Sequence, residues 1–303
     1  MKLKKKHNLE ESLFIKNGYC SFKNLLSEKK SKDFNDKIIN LRKLGKNIFL
    51  SKENYIKKKK SKKKYISKNI LDNFSTDYFL KNKKLLKKVQ LLLGKNYELY
   101  ASRAICAIPH IWMPKWITKK MDLESPNIGE FIKDEFRDIR FFHGIDYHMD
   151  LIDFSKEDAN FITVYIYLDK VTKKMSPLNI LPKSHMAGSD PYPHKLLKHK
   201  DKVIYQSDLG KKIVTKPKEL IGSAGDVWAW HGCLLHGTNF NIQGNIPRIS
   251  LRLIYRQTKK SKAPINLVNG KIKNTIALKK MRQNDRYSFI KKNYVSKYQI
   301  LKG

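Results

Sequence analysis

The spacing of apolar positions changes along this chain. Glu10 to Ile15 reads as a short helix. Gly18-Tyr-Cys-Ser-Phe22 then reads as a turn and a short alternating strand. Leu25 to Leu44 sets Phe34, Ile38, Ile39 and Leu41 at helical spacing, with Gly45 as the stop. Thr76 to Leu93 predicts a further helix, apolar at Phe79, Leu80, Leu86 and Val89 and ended by Gly94. The first third therefore reads as helical with one strand. After residue 97 the period shortens towards two. Tyr97 to Ile108 reads as a strand, interrupted by Pro109. Met113 to Asp134 has no clear period and is expected to be a long loop. The next candidate strands are Phe141 to Met149, Phe161 to Leu168, Leu178 to Leu181, Asp226 to Trp230 and Arg248 to Arg256. Short strands between Gly and Pro turns predict a sandwich or jelly roll rather than a parallel α/β sheet.

No internal repeat is visible. The expected organisation is a single domain over 1–303: a helical part over 1–96, a β core over 97–257 and a basic tail over 258–303. A helix is expected in the tail around Ile276 to Arg282, and no role is legible for that tail.

Composition adds a large positive charge. Lys plus Arg number 64 against 27 Asp plus Glu, a formal +37, yet 41% of residues are hydrophobic. A disordered polycation lacks that apolar content. Nine of the basic residues are Arg and the rest Lys. With abundant Ile and Asn, this matches AT-rich coding, so the charge reads first as a solvated Lys surface. Dedicated nucleic-acid readers favour Arg for bidentate contacts. Salt-sensitive attraction to a polyanion (nucleic acid, anionic lipid or a phosphate-bearing substrate) is the competing reading. Lys57 to Lys64 holds seven Lys in eight residues and no aromatic on which a base would stack. No apolar run approaches the ~20 residues of a membrane helix. Met1 to Lys6 leads into polar residues, so no secretory signal is expected. Cys20, Cys106 and Cys233 are scattered and odd in number, without a CxxC pair. A cytoplasmic location is expected.

Two of the nine histidines stand out by context. His148 and Asp150 form an HxD pair, and in extended chain such residues point the same way. His236 follows 86 residues after Asp150. Two histidines and one carboxylate make the facial triad that suits Fe(II) and leaves positions open; zinc sites more often use three His or Cys-containing sets. His231 is the alternative third ligand. It differs from His236 by five, so in extended chain the two face opposite ways. Arg248, Ser250 and Arg252 share one face of the last strand, with Ile249, Leu251 and Leu253 on the other. An inward Arg needs an anion, and a dicarboxylate would provide one. His185 reads as a structural loop histidine. His110 and His143 read as structural or substrate-facing, Trp228 and Trp230 as core, and Arg256 as a surface or ion-paired residue.

Several stretches then resemble the phytanoyl-CoA dioxygenase family. Phe161 to His185 (FITVYIYLDKVTKKMSPLNILPKSH) resembles the family's strand and its Gly-Pro-Leu, Leu-Pro-Gly-Ser-His turn. Residues 17–26 resemble its N-terminal strand, and Leu92-Leu-Gly94 its usual helix end. Gly225-Asp226, His236-Gly-Thr238, Asn241 and Pro247-Arg248 resemble its C-terminal signature. The resemblance covers roughly 10–256. It implies a mainly β protein with flanking helices around a double-stranded β-helix (jelly roll, cupin-like) core. It also implies an Fe(II)- and 2-oxoglutarate-dependent dioxygenase using O2, with ascorbate as reductant in vitro. By the resemblance, His148, Asp150 and His236 match the iron ligands, and Arg248 the arginine on the distal carboxylate of 2-oxoglutarate. Thr238 and Tyr165 fall beside that carboxylate, and Thr163 and Tyr167 share Tyr165's strand face.

The chain departs from the family at three points. Ser176 and Lys183 stand where the family has Gly, and Asn241 to Arg248 is one residue longer, which makes Arg252 the alternative arginine. The implied reaction is hydroxylation of an aliphatic C–H in a small metabolite, anionic or tethered as a CoA or carrier-protein thioester, with release of succinate and CO2. Asp150 excludes the halogenase variant, in which halide takes the carboxylate's place. Met113 to Arg140 is the expected lid. A nucleic-acid-directed oxygenase and a non-catalytic binding barrel are the alternatives. Oligomeric state is not legible.

Overall fold

The computed structural model describes residues 8–60, 68–120, 128–154 and 156–278. The end of the Lys57–Lys64 run, residues 121–127 of the expected lid and most of the basic tail lie outside the described residues. So does most of the helix expected at Ile276 to Arg282; Ile276 itself bridges Asp158 antiparallel.

The first part is helical, as its spacing predicts, and its boundaries follow from capping. Helix α1 (Leu9–Asn17) opens on a capping box between Asn8 and Glu11 and closes on Gly18 at φ +81°. Strand β1 (Tyr19–Phe22) follows. Helix α2 (Glu28–Arg42) is capped by Ser27 and ends on a left-handed Lys43, two residues before Gly45. Helix α3 (Lys52–Lys60) comes next. The single helix expected over Thr76 to Leu93 is two: α4 (Asp77–Leu80) and α5 (Lys83–Leu93). Asn82 makes the break, because its side chain accepts from the amides of Lys84 and Leu85 and starts a new helix.

The β part contains β2 (Tyr97–Ala107), α6 (Lys115–Lys120), β3 (Arg140–Phe142), β4 (Ile145–His148), β5 (Phe161–Tyr167) and β6 (Leu178–Ile180). It continues with β7 (Lys195–His199), β8 (Lys202–Gln206), β9 (Lys212–Thr215), β10 (Lys218–Leu220), β11 (Val227–His231), β12 (His236–Thr238), β13 (Arg248–Gln257) and α7 (Pro264–Asn269). The expected strand Phe141 to Met149 is divided at Gly144, whose φ of +72° turns the chain from one sheet into the other. The segment expected to be a loop from Met113 carries α6 and two single-turn helices, at Gly129–Phe131 and Asp134–Phe136. The β7–β9 strands, β10, β12 and α7 were not anticipated by periodicity.

The strands form a jelly roll. A six-stranded sheet runs β1-β11-β5-β13-β2-β3 and a four-stranded sheet runs β10-β6-β12-β4. Alternation divides the large sheet into two chemically distinct faces. Val164, Ile166, Ile249, Leu251 and Leu253 pack with Phe14, Leu85, Val89 and Leu92 of the helices in one core cluster. Tyr165, Tyr167, Trp228 and Trp230 face the other way and pack with Leu178 and Ile180 of the small sheet. The three-stranded sheet β7-β8-β9 lies outside the small one and packs Val203, Tyr205 and Ile213 against Tyr147, Met149 and Leu151. Those odd-numbered residues are anchored there, which leaves His148 and Asp150 to the interior.

Candidate active site

His148 ends β4 and stands directly opposite His236 at the start of β12. Asp150 is not in the strand, as the HxD reading expected; it opens a single-turn helix, Asp150–Asp153. Met149 between them is extended, at φ −103° and ψ 145°, so the two side chains still project to one side. His148, Asp150 and His236 offer ligand atoms all within 4.8 Å of one another, and no other such group of three is present among the described residues. The His236 Nε2 lies 3.6 Å from Asp150 Oδ1.

Both imidazoles are oriented by the same device. His148 Nδ1 donates to the Asp146 carbonyl at 2.9 Å, and His236 Nδ1 to the Leu234 carbonyl at 3.0 Å. A proton held on Nδ1 leaves Nε2 with a lone pair, as a metal requires. Burial, and then the neighbouring His236, push the half-buried His148 ring down to about 3. Burial lowers His236 likewise. Both rings are therefore neutral near neutral pH.

Asp150 is held on both oxygens. Its Oδ2 accepts from Thr163 Oγ1 at 2.5 Å and from Trp230 Nε1 at 2.8 Å, and its Oδ1 accepts from Arg252 Nη2. Burial alone would raise this carboxyl; the Arg252 guanidinium, the two imidazoles and the Thr163 hydroxyl hold it well below the usual range. Trp230 is buried, as a core residue should be, yet its indole N–H serves the site. Its place on the Tyr165 side of the sheet alternation was the available signal.

Arg248 begins β13 and is 1% exposed. Its Nη1 donates to Tyr165 Oη and to Ser250 Oγ, both at 2.9 Å, and its Nε has no partner. No carboxylate among the described residues pairs with it. A buried guanidinium without an anion is costly. Thr238 is buried on β12 with its Oγ1 also unpartnered. Asn241 ties down the loop before Arg248, donating to the carbonyls of Ala107 and Ile246. Tyr165 and Trp230 connect the Arg248 end to the triad, with ring centroids 5.7 Å apart, and Trp230 lies 4.9 Å from the His236 ring.

The remaining histidines fall elsewhere. His231 turns away from His236; its Nε2 meets Asn269 Oδ1 at 2.8 Å and its Nδ1 accepts from the Cys233 amide. His185 packs beside it, ring centroids 5.8 Å apart. His110 and His143 hydrogen-bond to one another at 2.8 Å and stack with Phe240. Arg256 is ion-paired with Glu98 and Glu157.

A jelly roll that gathers two neutral imidazoles, one ionised carboxylate and a buried, anion-seeking arginine defines a candidate mononuclear metal centre with an anion pocket. The chain belongs to the phytanoyl-CoA dioxygenase family, whose sequence model matches residues 14–249. Among solved structures it is similar to HygX from Streptomyces hygroscopicus with nickel and 2-oxoglutarate bound, at 11% identity, covering 84% of this chain and 87% of that one, TM-score 0.46. It is similar to AviO1 from Streptomyces viridochromogenes at 13% identity, covering 86% and 98%, TM-score 0.47. It is also similar to SnoN, a non-haem α-ketoglutarate-dependent epimerase from nogalamycin biosynthesis, at 11% identity, covering 82% of each chain, TM-score 0.47. No curated protein matches the sequence. No helix among the described residues is long and apolar enough to cross a membrane.

Proposed function

We propose that this protein is a non-haem Fe(II)- and 2-oxoglutarate-dependent oxygenase that hydroxylates an aliphatic C–H of a small metabolite. The observation that carries the reading is the pairing of a two-histidine, one-carboxylate cluster on the small sheet with a buried arginine on the large one that has no carboxylate partner among the described residues. His148, Asp150 and His236 are the iron ligands in this reading. The donor set fits: two Nε2 lone pairs and one carboxylate oxygen converge, and all three side chains are oriented by hydrogen bonds before a metal arrives. Arg248 takes the distal carboxylate of 2-oxoglutarate, which supplies the anion it otherwise lacks. Thr238 Oγ1 and Tyr165 Oη flank that carboxylate. When bound, iron and 2-oxoglutarate supply oxidative decarboxylation of the cosubstrate to succinate and CO2, with oxidation of the substrate C–H by O2.

The protein's own work is positioning. Thr163 and Trp230 pin the Asp150 carboxylate so that it presents Oδ1. The aromatic wall of Tyr165, Tyr167, Trp228 and Trp230 excludes bulk water. The described parts of the insert Met113 to Arg140, expected as the lid, instead pack Met113, Ile117, Ile128, Phe131 and Phe136 into the core on the helical side of the large sheet.

The test is succinate formation from purified protein with Fe(II), ascorbate and 2-oxoglutarate in air, without added substrate. Slow turnover by wild type, absent in His148→Ala and Arg248→Ala, is expected. Succinate formation that survives His148→Ala would end the reading. If wild type makes none, the anaerobic Fe(II) spectrum decides. A change on adding 2-oxoglutarate is expected, and an unchanged spectrum would favour a binding barrel without catalysis.

A further inference from the structure

We propose that Arg103 and Arg252 together bind an anionic group, carboxylate or phosphate, of the primary substrate beside the metal triad. The location of that group relative to the chemistry rests on the oxygenase reading; the anion site itself does not.

Strands β2 and β13 pair antiparallel, and Arg103 is the direct partner of Arg252. By that register both lie on the interior face with Arg248. From Ala101 to Ala107 on β2 and from Arg248 to Ile254 on β13, the positions of this face carry three arginines and no acidic residue. Like charges directly opposite in a sheet repel, with Cβ atoms about 5 Å apart. A sequence keeps such a pair where an anion bridges it.

Arg252 is ion-paired with Asp150, whereas Arg103 has no acidic partner among the described residues. Arg103 is half-buried, and its one hydrogen bond goes to the Ser102 carbonyl at 3.4 Å. Arg252 gives one N–H group to Asp150, and its side chain stays 22% exposed. A guanidinium has five N–H donors in a planar fork, so most of Arg252's are left for another acceptor. Asp150 cannot serve both: its oxygens also hold Thr163 and Trp230 and point at the imidazoles.

Depth separates the two anion positions. Arg248 is sealed at 1% exposure and suits a small cosubstrate held far inside. Arg252 and Arg103 are partly open to solvent. Composition makes the placement telling. The chain has nine arginines among 64 basic residues, and three of them share this one face. The Lys-rich exterior does not explain arginines facing inward.

Calorimetry with hexanoate, hexyl phosphate and hexanol tests the proposal, on protein with and without Fe(II). Hexanoate or hexyl phosphate should bind at least tenfold tighter than hexanol, about 1.4 kcal/mol. Arg103→Gln should remove that preference, which an unlocalised surface charge would leave almost intact. Preference for hexanoate would point to a free acid and preference for hexyl phosphate to a phosphate-bearing carrier; either supports the site. Equal binding of all three, no binding at millimolar concentration, or an unchanged preference in Arg103→Gln would overturn it. If Arg103→Gln does not fold, Arg103→Lys keeps the charge and loses the fork, and an undiminished preference there would overturn it equally. The anaerobic Fe(II) and 2-oxoglutarate spectrum, read on the same samples, separates the two ideas. A normal spectrum without anion preference removes this site alone. Anion preference without a spectral change removes the oxygenase reading alone.

Discussion

Two pairs of neighbouring histidines lie in this jelly roll, and they have opposite fates. His148 and His236 sit with ring centroids 4.4 Å apart; His185 and His231 sit 5.8 Å apart. In the first pair each Nδ1 is bound to a backbone carbonyl, and the Nε2 atoms face a carboxylate. In the second, both nitrogens of His231 are engaged, and His185 is wedged against Gly18, where even a Cβ would come within 2.4 Å of its Nδ1. His236, His185 and His231 are buried and His148 is half-buried, so burial does not separate the pairs. What makes one pair a candidate ligand set is a third donor on the same side and one free nitrogen per ring. The other pair is packing that tolerates polarity.

The largest effect should come from breaking the first pair. His236→Ala should abolish metal-induced stabilisation, read as a Tm shift with Fe(II) or Ni(II). His231→Asn should keep that shift while losing about 2 kcal/mol of stability from unmade buried hydrogen bonds. A metal response lost in His231→Asn and retained in His236→Ala would invert the comparison.

Acid should act next, through the second pair as well as His143 and His148, whose rings burial likewise pushes down to about 3. Burial pushes His185 down to about 3 and His231 down to about 4, from an ordinary 6.5. Both are neutral when folded, so below about 6.5 the unfolded chain binds more protons and stability falls as pH falls towards 4. From pH 7 to 5 the loss should be about 2 kcal/mol per ring. Urea titrations at the two pH values check this, and His231→Asn should flatten the dependence.

Removing one bond to the carboxylate should matter less. Thr163→Val takes away a hydroxyl on Asp150 Oδ2 but leaves Trp230 there. Metal affinity should fall about tenfold with the fold intact. An unchanged affinity would mean that Trp230 alone orients Asp150.

The smallest effect concerns the turn beside His185. Lys183 holds φ +70° and Ser176 φ +56°, the two places where the family's turn has glycine. Lys183→Gly should therefore stabilise by about 0.5–1 kcal/mol in thermal unfolding. Ser176→Gly should gain nothing, because the Ser176 hydroxyl donates to the Asn239 carbonyl at 2.5 Å.

Much of this protein was legible along the chain. Helical spacing placed α2 and α5, since amphipathic helices announce their buried face. Alternation placed β2, β5, β11 and β13 and put Arg248, Ser250 and Arg252 on one face, because a strand's period is set by its backbone. His148, Asp150, His236 and Arg248 stood out by residue type, but an HxD pair is common by chance and it was the family resemblance that implied their roles; the fold brings the first three within 4.8 Å of one another. Other features needed the fold. Asn82 splits a helix that periodicity ran together, since a cap acts through one local bond. The β7–β9 sheet escaped notice because its strands are short, half exposed and rich in Lys. Trp230 read as core, and only the pairing of β11 with β5 brings its N–H to Asp150. Arg103 gave no sign of its own; its meaning comes from standing opposite Arg252, 149 positions later in the numbering. Periodicity and residue type are local properties, and the sequence determines them directly. Which two charges share a face across strands is decided by register, and register belongs to the tertiary structure.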